Sequence, residues 1–193
     1  MSCHLLLPTT ALLLMLSALA PLLPSAAAKE DLDYFEVRVI VKETLEKATS
    51  LSASMSDLPA IEKTLSAEPP APADQLTMAM MQLLKVKQSM DAIEKQRQPF
   101  TLALDSIRDQ LTRTEYYDLS LSKAASHFAD MGYHLQPLIK KWQEIAASLA
   151  SHPFDPHSAE DRKAAAAAAA KLDATRADYD ASVAELQQGF DLL

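Results

Sequence analysis

The segment LSKAASHFADMGYHLQPLIKKWQEIAASL, residues 121–149, carries the pattern that decides the fold. Its apolar side chains form two rows with a spacing of three and four, Leu121, Phe128, Leu135, Trp142 and Leu149 in the first and Ala124, Met131, Leu138 and Ile145 in the second. Both rows fall on one side of an α-helix, and polar side chains fill most of the other side. We therefore predict a long, half-buried helix that is kinked, or divided into two coaxial helices, at Gly132 and Pro137.

The same spacing appears before and after this segment. It runs from Asp31 to Ser56, from Asp74 to Leu111 with Pro99 inside it, and from Ser158 to Phe190. The run 35–39 alternates like a β-strand, but no partner strand is apparent elsewhere, so we favour helix there too. Only two glycines occur in 193 residues, which disfavours a fold that needs many tight turns.

Proline-rich segments separate these helical patterns. Residues 68–72 read EPPAP and residues 151–157 read SHPFDPH. Such segments end helices because proline has no N–H group and restricts the residue before it. The sequence thus predicts an all-α fold, an antiparallel up-and-down bundle of four to six helices with proline kinks or breaks.

The N-terminal 28 residues have the features of a signal peptide. Residues 11–23 are a short apolar stretch, and Ala26 to Ala28 supply the small side chains of a cleavage site. We expect cleavage before Lys29, which leaves residues 29–193 as a single helical domain without a transmembrane segment. The alternative is a retained signal anchor, because about 20 apolar residues can span a bilayer.

Charge and composition argue against several classes of function. The net charge is −8 without a basic stripe, so we expect no nucleic-acid partner. The chain has no glycine-rich phosphate loop and no G-x-S-x-G motif, and its single cysteine, Cys3, lies in the signal segment. His127 and His134 are about 10.5 Å apart along a helix, too far to share one metal ion. We expect no catalytic residue, no metal site, no cofactor and no enzymatic activity.

Flexible and aromatic side chains are the candidates for binding. Thioethers adapt to different apolar ligands, and a helical bundle can hold a fatty chain between its helices. Ordinary core packing is the alternative explanation for the same residues. The candidate ligand-binding residues are Met78, Met80, Met81, Phe128, Met131 and Trp142.

The chain resembles the fungal hydrophobic surface-binding protein and cell-wall mannoprotein family. The resemblance rests on the signal peptide and on helical patterns at 41–55, at Ile93, Lys95, Phe100, Leu104 and Leu111, and at Leu172, Tyr179, Val183 and Phe190. It implies a secreted, cysteine-free helical bundle, with the cell wall as one destination. It also implies adhesion to hydrophobic surfaces or lipid binding, with fatty-acid-like chains as ligands.

The sequence has a second resemblance, to the extrinsic four-helix subunits of the photosystem in the thylakoid lumen, which also follow an Ala-x-Ala site. This resemblance implies a structural subunit of an extracytoplasmic assembly, with protein partners on the faces of the bundle. We expect the first function, a secreted binding protein for an apolar ligand or a hydrophobic surface, and retain the second as its alternative.

Overall fold

The computed structural model describes residues 32–113, 118–150 and 154–193. They form six α-helices: α1 (Tyr34–Met55), α2 (Leu58–Leu65), α3 (Ala73–Arg113), α4 (Leu119–Ala150), α5 (Ala159–Asp173) and α6 (Arg176–Asp191). These residues contain no β-strand, so the prediction of an all-α bundle is confirmed and the alternating run 35–39 is helical. The predicted signal peptide, residues 1–28, lies outside the described residues.

Side chains fix the starts of α1, α4 and α5. At α4, the Asp118 carboxylate accepts a hydrogen bond from the Leu121 N–H at 3.0 Å. At α1, the Asp33 carboxylate accepts a hydrogen bond from the backbone N–H of Glu36 at 2.8 Å, and the Glu36 carboxylate accepts one from the Asp33 N–H at 2.9 Å. This reciprocal pair satisfies two N–H groups that the first turn leaves free. At α5, Ser158 accepts from the Asp161 N–H at 3.2 Å, but the Asp161 carboxylate accepts from the Asp155 N–H instead.

The two longest helices contain proline. α3 runs through Pro99, and α4 runs through Gly132 and Pro137. Each proline removes one intrahelical hydrogen bond, yet the apolar rows of both helices keep their phase across it. Both helices therefore continue through their prolines, where the sequence also allowed a break between two separate helices.

Specific contacts establish that α6 is antiparallel to both α1 and α4. Toward α1, the Tyr179 hydroxyl donates to the Ala48 carbonyl at 3.1 Å, and the Arg38 guanidinium lies 5.3 Å from the ring centre of Phe190. Toward α4, the Trp142 indole meets Thr175, and His127 lies 2.7 Å from Glu185. In both pairs, higher numbers on one helix meet lower numbers on the other.

All six helices contribute to one hydrophobic core. The rows of α4 are buried or half-buried as predicted, with Ala124, Phe128 and Leu138 almost inaccessible. The alanine run of α5 packs on α2, and its buried members are Ala165, Ala166, Ala168 and Ala169. Small side chains let two helices approach closely, so these four buried alanines serve as a contact surface.

Candidate ligand-binding groove

An open groove lies between α3 and α4, which share the smallest of the main interfaces among the described helices. The α3 wall extends from Lys87 to Leu111 and the α4 wall from Ala125 to Ala147. At 1.5 Å of rise per residue, these spans are about 36 Å and 33 Å. The groove volume is about 790 Å³, within the range of pockets that bind small molecules.

Aromatic side chains form much of its floor. Phe100 on α3 and Phe128 on α4 meet edge to face with ring centres 5.8 Å apart. The ring centres of Trp142 on α4 and Tyr179 on α6 are 5.2 Å apart. Between these pairs the floor is completed by residues of α1 and α6: Thr44, Ala48, Ser182, Val183 and Leu186.

The polar atoms of the floor bond to protein. The Trp142 indole N–H donates to the Thr175 hydroxyl at 2.9 Å, and that hydroxyl donates to the Leu172 carbonyl at 2.7 Å. Tyr179 donates to Ala48, and burial raises the pKa of its hydroxyl far above the ordinary value, with a smaller effect from the Asp180 charge. Tyr179 therefore stays neutral, and the floor presents mainly carbon to the groove.

The α3 wall carries a half-buried ion pair near its middle. The Arg97 guanidinium lies 3.4 Å from the Glu94 carboxylate, and their side chains are 16% and 24% exposed. Burial raises the pKa of Glu94, although the charge and hydrogen bond of Arg97 act in the opposite direction. Desolvation thus outweighs attraction at this carboxylate.

The structure brings three of the six candidate binding residues together. Phe128, Met131 and Trp142 line the groove. The other three lie outside it, because the groove begins at Lys87, further along α3. Met80 is buried in the core, whereas Met78 and Met81 are 62% and 57% exposed. Ligand binding by any of these residues stays a prediction.

The groove also contains apolar residues that the sequence analysis did not assign to a site. They form a stripe along α3, with Met90, Ile93, Leu104 and Leu111, and include Leu135 and Ile139 on α4. The available signal was that α3 has more apolar residues than one core row requires. Leu104 and Leu111, for example, are offset from the buried Ala103 and Ile107. A second stripe on a helix indicates a second apolar neighbour.

One of the two histidines that the sequence places on α4 contacts a carboxylate of α6. His127 pairs with Glu185 across the α4–α6 interface. Over the described ranges, no group of three or more His, Cys, Asp or Glu side chains is placed to hold a metal ion. None of the helices described above combines the length and apolarity that crossing a bilayer requires.

Comparison of the chain with protein-family models, with curated proteins and with solved structures gives no match. The function is therefore inferred from the groove and its neighbouring side chains.

Proposed function

We propose that this protein is an exported, non-enzymatic binding protein that holds a lipid-like apolar chain in the groove between α3 and α4. The observation that carries the proposal is the groove itself, which is long, open and lined mainly by carbon atoms. An unfilled apolar groove is unfavourable in water, and an apolar chain would remove its surface from solvent. The leader-like pattern of residues 1–28 supports export.

The shape of the groove supports a chain-like ligand rather than a compact one. Its walls extend for more than 30 Å, and its floor is continuous from Phe128 to Trp142. The polar atoms of Trp142 and Tyr179 are bonded to protein, and the two phenylalanines have none, so the floor recognises a ligand by apolar contact. Half-buried Met131 adds a flexible thioether to the α4 wall, which suits chains of different shape.

Displacement of a fluorescent apolar probe tests the proposal. The delipidated protein is titrated with N-phenyl-1-naphthylamine, and the probe is then displaced with hexadecanol and with palmitate. Ala129→Trp places a large ring on the groove wall and should weaken probe binding at least tenfold. Ala53→Trp makes the same change at an exposed position of α1 outside the groove and should have little effect. Absence of saturable binding to the unmodified protein would reject the proposal.

A second candidate function is adhesion to a hydrophobic surface or a protein partner. It is favoured by large apolar side chains that are exposed outside the groove: Phe35 at 73%, Met78 at 62% and Met81 at 57%. Met78 and Met81 are three residues apart and share an exposed face of α3. Contiguous exposed apolar surface often marks an interaction site. Replacing Met78 and Met81 together by serine should reduce retention on an octyl-coated surface while groove binding persists. Unchanged retention of the variant on the octyl-coated surface would show that the α3 face with Met78 and Met81 is not the adhesive surface.

A further inference from the structure

We infer that the groove selects an uncharged chain, such as a long-chain alcohol or ester, over an ionised fatty acid. This inference rests on the proposed function and narrows it from apolar chains in general to a chemical class. It follows from how the charged and polar side chains of the groove are already engaged.

The cations of the groove wall are matched by carboxylates of the same helix. Each cation lies three or four residues from its partner on α3: Lys87 with Asp91 at 2.9 Å, Arg97 with Glu94 at 3.4 Å and Arg108 with Asp105 at 3.3 Å. The α4 wall adds the carboxylate of Glu144 and no cation. The groove thus has no excess of positive charge with which to attract an anion.

Most of the neutral polar side chains that line the groove are also engaged within the protein, with Gln143 on the α4 wall as the exception. The serine and threonine hydroxyls that line the groove donate to carbonyls of their own helices: Thr44 to Ile40, Thr101 to Arg97 and Ser182 to Tyr179. The Gln96 amide donates to the Glu43 carboxylate at 3.3 Å. A bound carboxylate accepts hydrogen bonds only, and apart from Gln143 these side chains already donate within the protein. One neutral amide does not compensate for removing a full charge from water.

The length of the groove determines where a head group would lie. Both walls are longer than an extended sixteen-carbon chain, so a chain that seats fully takes its head group in with it. Near the middle, a carboxylate would meet Glu94 as well as Arg97. Removing a carboxylate from water is strongly unfavourable unless a partner compensates. A hydroxyl or ester group costs far less.

Competition at pH 8 between hexadecanol and palmitate tests the inference, with N-phenyl-1-naphthylamine as the displaced probe. Both ligands have the same chain length and differ in the charge of the head group. We expect hexadecanol to bind at least tenfold more tightly to the full-length, delipidated protein. Equal affinity, or tighter palmitate binding, would overturn the inference and leave the proposed function intact. Failure of both ligands to displace the probe would reject the inference and the proposed function together.

Variants that replace a groove carboxylate by a neutral amide test whether charge causes the preference for hexadecanol. Glu94→Gln and Glu144→Gln each remove one carboxylate from the groove and should shift the palmitate-to-hexadecanol affinity ratio about threefold or more toward palmitate. Glu46→Gln removes a carboxylate from the exposed Lys42–Glu46 pair on α1 and serves as the matched control. If both groove variants shift the ratio no further than this control, charge matching does not set the preference and the inference fails.

Discussion

The ring of Phe128 on α4 packs against the backbone of Gly189 on α6. A Cβ atom added to Gly189 would lie 2.8 Å from ring carbon Cδ1, closer than unbonded carbon atoms approach. The same ring meets the edge of Phe100 at the floor of the groove. The absence of a side chain at Gly189 therefore sets the position of an aromatic ring that lines the candidate site.

Replacing this glycine should destabilise the protein. Gly189→Ala forces the Phe128 ring to move, which costs about 1–3 kcal/mol and exceeds the gain in helix propensity of about 1 kcal/mol. Urea denaturation followed by circular dichroism measures the difference. Gly132→Ala on α4 is the control and should stabilise by about 0.5–1 kcal/mol, because it lies inside a helix. A loss of stability in Gly132→Ala but not in Gly189→Ala would show that the Phe128 ring does not pack tightly on Gly189.

The hydrogen bond between Trp142 and Thr175 should contribute measurably to stability. Thr175→Val keeps the shape of the side chain but leaves the buried indole N–H without its acceptor, at a cost of about 1–3 kcal/mol. Thermal unfolding measures the loss. Thr101→Val removes a half-buried hydroxyl that bonds only to its own helix and should cost less. Equal losses at the two positions would mean that the indole hydrogen bond has no special weight.

The stability of the protein should depend on pH through Glu94. Its pKa is raised in the folded state, so the folded protein binds this proton more tightly than the unfolded chain. The resulting penalty is absent below the ordinary pKa of a glutamate, grows as pH rises through the raised pKa, and is complete above it. Glu94→Gln should therefore increase stability more at about pH 7.5 than at about pH 4.

Urea denaturation at the two pH values measures this difference. Glu46→Gln, on the exposed face of α1, accounts for the general effect of removing a negative charge. A larger stabilisation by Glu94→Gln at the lower pH would contradict a raised pKa for Glu94 in the folded protein.

The contact between α5 and α2 should tolerate no large side chain. Ala169 is fully buried, so Ala169→Leu overfills the interface and should cost about 1–3 kcal/mol or more. Ala167 is exposed on the same helix, and Ala167→Leu should change stability by less than about 0.5 kcal/mol. Thermal unfolding of the two variants distinguishes them. Similar values would show that the alanine run is not a packing surface.

The sequence predicted the helices well because their apolar spacing is a local property. Most side chains of the two apolar rows of α4 are buried, as their spacing predicts. The groove was not predictable in the same way. Leu135 belongs to the same row as Phe128 and Met131 belongs to the companion row, yet both are half-buried because α3 does not close over them. The distance between two helices depends on all the residues around them, which a periodic pattern does not reveal.

The methionines show the same limit at the level of the candidate site. Met78, Met80 and Met81 are neighbours in sequence, but a helix places Met78 and Met81, three residues apart, on one face and turns Met80 away from it. Met80 enters the core, and the other two face solvent. Composition identified a chemically suitable cluster, whereas the geometry of α3 placed the groove further along the chain, beginning at Lys87.

The small interface between α3 and α4 has a consequence for how a ligand would enter and leave the groove. α1 is joined to α6, and α2 to α5, by larger interfaces. Local opening occurs at the lowest free energy where fewest contacts must be broken. Loading and release would then require only a separation of α3 from α4, with the other helix pairs intact and without a dedicated lid.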